Sequence, residues 1–317
     1  MKQFLPILVL VCSTWAQAGA EPRGVTRQAS APATSQSSAQ SSLQAASDAA
    51  KTATSPMQNS ANQISPKQPS ADQIPPDQEN ARKAKAVIEQ GIQALGGQAF
   101  LTIRDREQQG RGYSFHHGRE SGGGVFWSFT EFPDKERVEL TKERDIAELY
   151  VGDKAYELTY KGAHPIDEKE RSAYVRRRRL SLDTILRTWI DDPSVVMLFE
   201  GFAIAAQHPA QQVTLIDAQD ESVTLYFDSD THLPIKKTFQ WRDPVDRQKN
   251  LEEEIYENYR SVSGVMAPYN ISRYFNGDIA AQRFLNSVTI NQGLDQAMFD
   301  PNSGYNPNKV PEKKSKR

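Results

Sequence analysis

The sequence predicts an α+β fold: a single large, curved antiparallel sheet that forms an open or incomplete β-barrel, with helices covering its concave side. Roughly a dozen runs of alternating apolar and polar residues mark strands with one buried face. Helical patterns are confined to one segment before the strands and one insertion between them, which is typical of helices collected on one side of an antiparallel sheet. A sheet with that many strands is expected to curl.

The clearest strands are three alternating runs within residues 251–291. They are joined by short turns at Ser263-Gly264 and at Asn276-Gly277-Asp278, and Asn-Gly between such runs is the strongest short signal for a β-hairpin. We therefore predict that this meander is the spine of the sheet. The residues of its middle strand that share one face are Val265, Ala267, Tyr269, Ile271, Arg273 and Phe275.

Composition narrows the classes of function. Of 317 residues, 38% are hydrophobic and the formal net charge is -2, so no excess of positive charge points to nucleic acid as a partner. The single cysteine, Cys12, lies in the predicted export signal, so the mature chain is expected to have neither a disulfide nor thiol chemistry. The fold must then depend on apolar burial and sheet hydrogen bonds.

The first 78 residues are predicted to lie outside the folded domain. Residues 1–20 combine a basic start, an apolar run and small residues at a cleavage site, which indicates a signal peptide and hence a periplasmic protein. Residues 21–78 are rich in Ala, Ser, Gln and Pro and contain no aromatic residue, which predicts a disordered linker. Lipidation at Cys12 is the alternative, but the bulky Val11 precedes it where a small residue is expected.

The folded domain is predicted to span residues 79–301 and to contain two helical segments. The first begins at Glu79 and is ended by Gly96-Gly97, because glycine tolerates the left-handed conformation at a helix C-terminus. The second begins after Pro165, and Ser181 is expected to divide it into two helices. The apolar residues at helical spacing are Ala84, Ile88, Ile92 and Leu95 in the first segment, and Val175, Leu182, Ile185, Leu186 and Trp189 in the second.

Two further segments complete the assignment. Gly122-Gly123-Gly124 is interpreted as a flexible hairpin connection, because no Gly-Lys-Ser/Thr follows it as in a phosphate-binding loop. Residues 302–317 are polar and basic, which predicts a disordered tail.

Five stretches, taken in order, carry a family resemblance: residues 132–139, 151–156, 226–236 and 259–268, and Asn291 with residues 299–301. They contain, respectively, a proline followed by a basic residue and an arginine, a glycine turn followed by an aromatic residue, an Asp to Leu-Pro hairpin, a late hairpin and a Phe-Asp-Pro ending. Together they resemble the outer-membrane lipoprotein-sorting proteins, a family of periplasmic lipoprotein carriers and outer-membrane receptors.

The resemblance implies an incomplete antiparallel barrel, closed by helices, whose hydrophobic cavity shelters acyl chains. It implies a carrier that binds acylated lipoproteins or lipids and moves them toward the outer membrane. Its implied partners are an inner-membrane transporter and an outer-membrane receptor, with peripheral membrane contact. A family arginine holds the closed, empty state, which makes Arg137 the candidate gating residue.

The residues expected to line the acyl cavity are Trp127, Phe129, Val138, Leu140, Leu225, Phe227, Phe239, Trp241 and Tyr256. The aromatic members of this set are equally consistent with the filling of a closed core. The alternative function is therefore a non-catalytic envelope sensor or interaction module with the same fold.

No motif for catalysis, metal or cofactor stands out in the sequence. His116 and His117 are adjacent in a strand and point to opposite faces, and Asp228, Asp230 and His232 lack the glycine and glutamate of a calcium loop. No Gly-x-Ser-x-Gly elbow is present. We therefore predict a protein that is not an enzyme and uses neither a metal nor a cofactor.

Four consecutive arginines form the sharpest charge feature of the sequence. They are Arg176, Arg177, Arg178 and Arg179, and they fit a site for an anionic lipid headgroup, a membrane surface or an acidic partner. The alternative, which charge runs in general favour, is a solvated helix face whose arginine stems cover apolar neighbours.

Overall fold

The structure, a computed structural model, describes residues 75–308. The predicted signal peptide, Cys12 and the predicted linker up to residue 74 lie outside the described residues, as do residues 309–317 of the predicted tail. The first helix begins at Pro76, three residues before the predicted start of the domain at Glu79. None of the helices in the described range is long and apolar enough to cross a membrane.

Four α-helices occur among the described residues, and they confirm the two predicted helical segments. They are α1 (Pro76–Leu95), α2 (Gln98–Leu101), α3 (Glu168–Arg179) and α4 (Leu182–Thr188). Gly96 ends α1 with a φ of 123°, a conformation that glycine adopts without steric cost. Asp167 caps α3 and Ser181 caps α4, so Ser181 divides the second segment as predicted.

Thirteen strands form one antiparallel sheet that does not close into a barrel. The first six are β1 (Asp105–His116), β2 (Arg119–Glu131), β3 (Lys135–Leu140), β4 (Ile146–Val151), β5 (Lys154–Thr159) and β6 (Gly162–Pro165). The other seven are β7 (Val196–Ala205), β8 (His208–Ile216), β9 (Ser222–Asp228), β10 (Pro234–Arg242), β11 (Lys249–Val262), β12 (Val265–Phe275) and β13 (Asp278–Ile290).

The strand order is β6-β5-β4-β3-β2-β1-β13-β12-β11-β10-β9-β8-β7. The predicted meander, β11 to β13, therefore lies in the middle of the sheet, and β13 pairs with β1 to join the two halves of the chain. Its two turns have positive φ at Ser263-Gly264 and Asn276-Gly277, as hairpin turns require. The predicted fold class is confirmed.

The main core lies between the helices and the concave face of the sheet. The predicted stripe of α1 is buried there together with Ile185 and Leu186 of α4, which are fully inaccessible to solvent. Strands from both halves of the sheet contribute side chains to this core, such as Phe126 of β2 and Phe227 of β9. One continuous apolar cluster thus joins the helices to the concave face.

A second cluster covers part of the opposite face. Met298 and Phe299, in a short 3-10 helix after β13, pack on Phe129 and Leu149. Tyr305, within the predicted tail, packs against the same cluster, and Asn308 donates to the carbonyl of Glu143 at 2.9 Å. Residues 302–308 therefore lie against the sheet, and both faces of β3 and β4 are covered.

The assignment of Gly122-Gly123-Gly124 to a hairpin connection is wrong. These glycines lie inside β2, opposite Ser114, Tyr113 and Gly112 of β1, and the turn occurs earlier, at His117-Gly118. A Cβ atom at Gly123 would lie 2.7 Å from the Tyr113 ring. The glycine is needed for close packing within the sheet and does not supply a turn.

Candidate functional site

The candidate site is a cavity of about 280 Å³ between the concave face and the helices. α3 and α4 form one wall, and we call these two helices the lid. The lining of the cavity combines apolar and charged residues. Its apolar residues include Leu95, Phe100, Ile103, Phe132, Val265, Met266, Ala267 and Ile290, and its charged residues are Arg106, Lys135, Glu136, Arg177, Arg178, Asp183, Glu254, Arg273 and Arg283.

The four consecutive arginines attach the lid to the sheet. Arg178 Nη1 donates to the carbonyl oxygens of Asp134 and Gly152, at 3.1 and 2.9 Å, and so bridges two hairpin turns. The Arg176 guanidinium lies 3.5 Å from the centroid of the Trp241 ring. All four side chains are half-buried, so they form neither the solvated helix face nor the open charged surface that the sequence suggested.

The remaining two arginines contact carboxylates. Arg177 lies 3.8 Å from Glu252, and Arg179 is ion-paired with Asp217 and Glu221. Each arginine therefore has a partner on the sheet, which gives the lid several polar attachments.

Lys237 provides another attachment, from the sheet to the end of α3. Its buried amine donates to the carbonyl oxygen of Leu180 at 2.8 Å and pairs with Glu254 at 2.9 Å. Burial alone would raise the pKa of Glu254, but Lys237 and the hydrogen bond from Tyr256 outweigh it and lower this pKa to about 2. Glu254 is thus ionised and fully engaged on the wall of the cavity.

A tyrosine stack holds the middle of α3. The rings of Tyr174 on α3 and Tyr150 on β4 lie 3.5 Å apart, and the Tyr174 hydroxyl donates to Glu136 at 2.7 Å. The Tyr150 hydroxyl donates to Glu148 at 2.9 Å. Burial, together with the nearby Glu170 and Glu136 carboxylates, raises the pKa of Glu148 to about 7 despite that hydrogen bond.

α4 is anchored by charge and by apolar contact. Asp183 accepts two hydrogen bonds from Arg106, at 2.8 and 3.3 Å, and Arg187 donates to the carbonyl of Ile103 at 2.5 Å. Ile185 and Leu186 on the same helix lie deep in the main core. The apolar anchoring of α4 contrasts with the polar attachments of α3, so α3 is the part of the lid that can separate with less loss of buried apolar area.

Of the nine residues predicted to line an acyl cavity, Tyr256 lines the observed one. Five others fill the main core, and Trp241 packs against it at the side where Arg176 stacks. Those five are Val138, Leu140, Leu225, Phe227 and Phe239. The alternative that the aromatic residues fill a closed core therefore describes Phe227 and Phe239.

Trp127 and Phe129 lie on the opposite face of the sheet. They alternate along β2 with Phe126 and Ser128, which face the helices, and Phe129 packs on Phe299. The sequence showed the alternation but assigned the wrong residues of this strand to the cavity. Because both faces of β2 are buried, aromatic residues lie on each of them. Hydrophobicity alone therefore does not show which face borders the cavity.

Arg137 also lies on the opposite face, directly across from Phe129 and away from the lid. Its side chain donates to Glu139 at 2.8 Å and to the Met298 carbonyl at 3.2 Å, with the Tyr305 ring 4.9 Å away. It therefore joins β3 to the C-terminal segment, on the face of the sheet that is turned away from the lid. Arg178, in contrast, bridges α3 to two hairpin turns of the sheet.

Of the charged residues of the cavity, the sequence had singled out Arg177 and Arg178 as site residues and missed the others. Arg273 was placed on the same face as Val265 and Ala267, and a charged side chain on an otherwise apolar strand face was the available signal. Arg106, Glu254 and Arg283 gave no comparable signal, because their neighbours in the cavity are far away in sequence. Within residues 75–308, no group of three or more metal-ligating side chains could hold a metal ion.

Comparison with solved structures identifies the fold. A DUF1329 family protein from Desulfovibrio piger matches with a TM-score of 0.50 and 12% identity, over 70% of this chain and 97% of that chain. A putative outer membrane lipoprotein-sorting protein domain from Vibrio parahaemolyticus matches with a TM-score of 0.47 and 10% identity, over 70% and 97% of the two chains. A LolA superfamily protein from Nitrosomonas europaea matches with a TM-score of 0.44 and 14% identity, over 68% and 97%.

The first of these likenesses shows that the fold is shared with the DUF1329 family protein. No protein-family model matches this chain, and no curated protein sequence matches it.

Proposed function

We propose that this protein is a non-enzymatic periplasmic carrier that binds the acyl chain of a lipid or lipoprotein between the sheet and the lid and moves it toward the outer membrane. The observation that carries the proposal is the cavity between sheet and lid, whose lining includes apolar residues such as Phe100, Ile103 and Met266. Each methylene group removed from water contributes about 0.8 kcal/mol, so such a space retains an acyl chain without chemistry.

The size of the cavity requires the lid to move. A volume of about 280 Å³ lies just below the range of about 300–1,000 Å³ that is usual for small-molecule sites. A long acyl chain therefore enters only if α3 moves away from the edge of the sheet. The contacts that oppose this movement are mainly polar, with Arg178 on two backbone carbonyls and Lys237 on the end of α3.

The test is to extract the purified mature protein with organic solvent and identify bound acyl species by mass spectrometry. The comparison variant is Ala267→Phe, which fills the cavity from β12, and its matched control is Ala163→Phe on the edge strand β6, outside the cavity. We expect acylated species with the wild type and the control, and their loss from Ala267→Phe. Equal recovery from both folded variants would place the lipid elsewhere and defeat the proposal.

A second function is favoured by one observation, namely that most residues predicted to line the cavity fill a closed core instead. A tightly filled half-barrel suits an envelope sensor or interaction module that recognises a partner by its outer surface. This alternative predicts that no acyl species is extracted from wild-type protein and that Ala267→Phe leaves partner recovery from an envelope extract unchanged.

A further inference from the structure

The two edge strands of the sheet differ in their protection against pairing with another chain. β6, at one end of the strand order, has four residues and ends at Pro165, and a short strand with a proline is one of the means by which proteins block an edge. β7, at the other end, has ten residues and contains neither proline nor lysine. A long edge strand without such protection pairs readily with a further strand.

The chain itself covers the outer edge of β7 at one position. The side-chain amide of Asn80, near the start of α1, donates to the Phe199 carbonyl at 2.9 Å and accepts from the Phe199 N–H at 2.8 Å. The register between β7 and β8 then shifts between Phe199 and Gly201. Beyond this shift, no strand among residues 75–308 pairs with the outer edge of residues 201–205.

The turn after β7 fixes which backbone groups point outward. Residues 206–207 have positive φ, as in the two-residue turns that close a hairpin on a hydrogen-bonded pair, here Ala205 and His208. Hydrogen-bonded and non-hydrogen-bonded pairs alternate along an antiparallel ladder, so Phe202 and Ile204 form the second kind with β8. Their N–H and C=O groups therefore point to the open edge.

The same two residues carry exposed apolar side chains. Phe202 is 76% exposed and Ile204 is 75% exposed, and both lie on one face of β7 because they are two residues apart. Neither lines the cavity, so the proposed acyl site does not account for them. Apolar side chains of this size beside free backbone groups mark an interaction surface.

The free segment is complementary to itself. When residues 201–205 of two copies pair antiparallel around a two-fold axis at Ala203, Phe202 of each copy lies opposite Ile204 of the other. The outward N–H and C=O groups of these pairs then bond to each other, and aromatic residues opposite β-branched ones are a favourable cross-strand combination. Glu200, the only charged residue of β7, lies opposite Ala206, so no like charges meet. An axis at Phe202 would place Glu200 opposite Ile204.

We propose that β7 is the interface of a symmetric dimer, in which residues 201–205 of two copies pair in this register and join their sheets. Any strand could supply the backbone hydrogen bonds, but β7 itself supplies the matching side chains, as an interface with the same patch on both subunits requires. Five residues from each copy bury much less than the roughly 1,000 Å² of a stable interface. The dimer is therefore weak, with a Kd between about 10 µM and 1 mM.

The first test traps the register with Ala203→Cys in the mature protein. Residues opposite each other in a non-hydrogen-bonded pair have Cα atoms about 4.5 Å apart, which is within the range of about 4.4–6.8 Å for a disulfide. The mature chain is expected to have no other thiol. We expect mild oxidation to give a product of twice the mass on a non-reducing gel. Val196→Cys, 53% exposed on the same strand but outside residues 201–205, is the matched control and should stay monomeric.

The second test is sedimentation equilibrium of the mature protein from about 10 µM to 1 mM, the range of the expected Kd. The wild type is expected to shift from monomer toward dimer as the concentration rises. Phe202→Lys should remove this shift, because its ammonium group lies opposite Ile204 of the second copy, and the exposure of Phe202 means that the single copy still folds. Val196→Lys is the control and should dimerise as wild type does.

Three results would overturn the proposal. One is a wild type that stays monomeric at every concentration, in which case residues outside the described range or a different protein cover β7. The second is a dimer that Phe202→Lys leaves intact, which places the interface elsewhere. The third is equal disulfide formation by Ala203→Cys and Val196→Cys, which means that the copies meet by random collision.

Discussion

Replacement of Arg178 by methionine is predicted to loosen the lid. The side chain makes two hydrogen bonds from a charged donor to backbone carbonyls, at 3.1 and 2.9 Å, and both are lost when α3 lifts. Methionine keeps most of the apolar stem and removes the donors. At about 1 kcal/mol for each bond of a half-buried group, the closed lid loses about 2 kcal/mol, which is about a 30-fold increase in the opening equilibrium.

Hydrogen exchange followed by mass spectrometry measures this opening at individual segments. In Arg178→Met, amides of α3 are expected to exchange about 30-fold faster than in wild type, because exchange tracks the population of the open form. Lys169→Met, at an exposed position on the same helix, is the control and should leave α3 unchanged.

Arg137→Met provides the contrasting perturbation. Arg137 lies on the face away from the lid, so its contacts with Glu139 and Met298 are the same whether the lid is open or closed. We expect faster exchange in β12, through lower global stability, and no change in the free energy of lid opening. If α3 and β12 exchange with one common free energy in wild type, the lid opens only by global unfolding and the reasoning fails.

Three further predictions follow from other parts of the fold. Glu148→Gln should remove a pH dependence of the free energy of unfolding. Because the folded state raises the pKa of Glu148 from 4.5 to about 7, the stabilisation by the protonated carboxyl is present at low pH and is lost as the pH rises from about 4.5 to 7. The loss is at most about 3 kcal/mol and is measured by urea denaturation at pH 5 and 7.5. Gly91→Ala should destabilise the protein by about 1–2 kcal/mol, although alanine has the better helix propensity, because the new Cβ would meet the buried Phe227 ring. A rise in Tm would contradict this packing. Gly123→Ala should lower the free energy of unfolding by about 1 kcal/mol, measured by thermal denaturation, because its Cβ would meet the Tyr113 ring. Gly118→Ala is the comparison: no atom lies within 4 Å of its Cβ, so any loss of stability there comes from the strain of positive φ and not from steric contact.

Much of the fold was predictable because its signals are local. Alternation and turn residues located the meander, the glycine turn within residues 151–156 and the division of the second helical segment at Ser181, and all three are present in the structure. The error at Gly122-Gly123-Gly124 arose because glycine serves both turns and close packing. Only the ring of Tyr113, on the neighbouring strand, shows which use applies.

The candidate site was less predictable. The alternation of Arg137 with Val138 and Leu140 already placed it on the other face from those two core residues, yet the resemblance assigned all three to the cavity or its gate. The four arginines were recognised as the sharpest charge feature, but their partners are carbonyls and carboxylates on distant strands. Charge in a sequence shows that a partner is needed and does not show which one.

The sequence by itself determined the strands, their turns and the segregation of the helices, because backbone preference and side-chain period act over a few residues. The tertiary structure alone decided which face of each strand borders the cavity and which is covered by the C-terminal segment. It also decided that buried charges meet across the fold, as Arg137 meets the Met298 carbonyl and Lys237 meets that of Leu180. The physical reason is that burial and electrostatic pairing depend on distance in space. Residues far apart in sequence come close only when both halves of the thirteen-stranded sheet have formed.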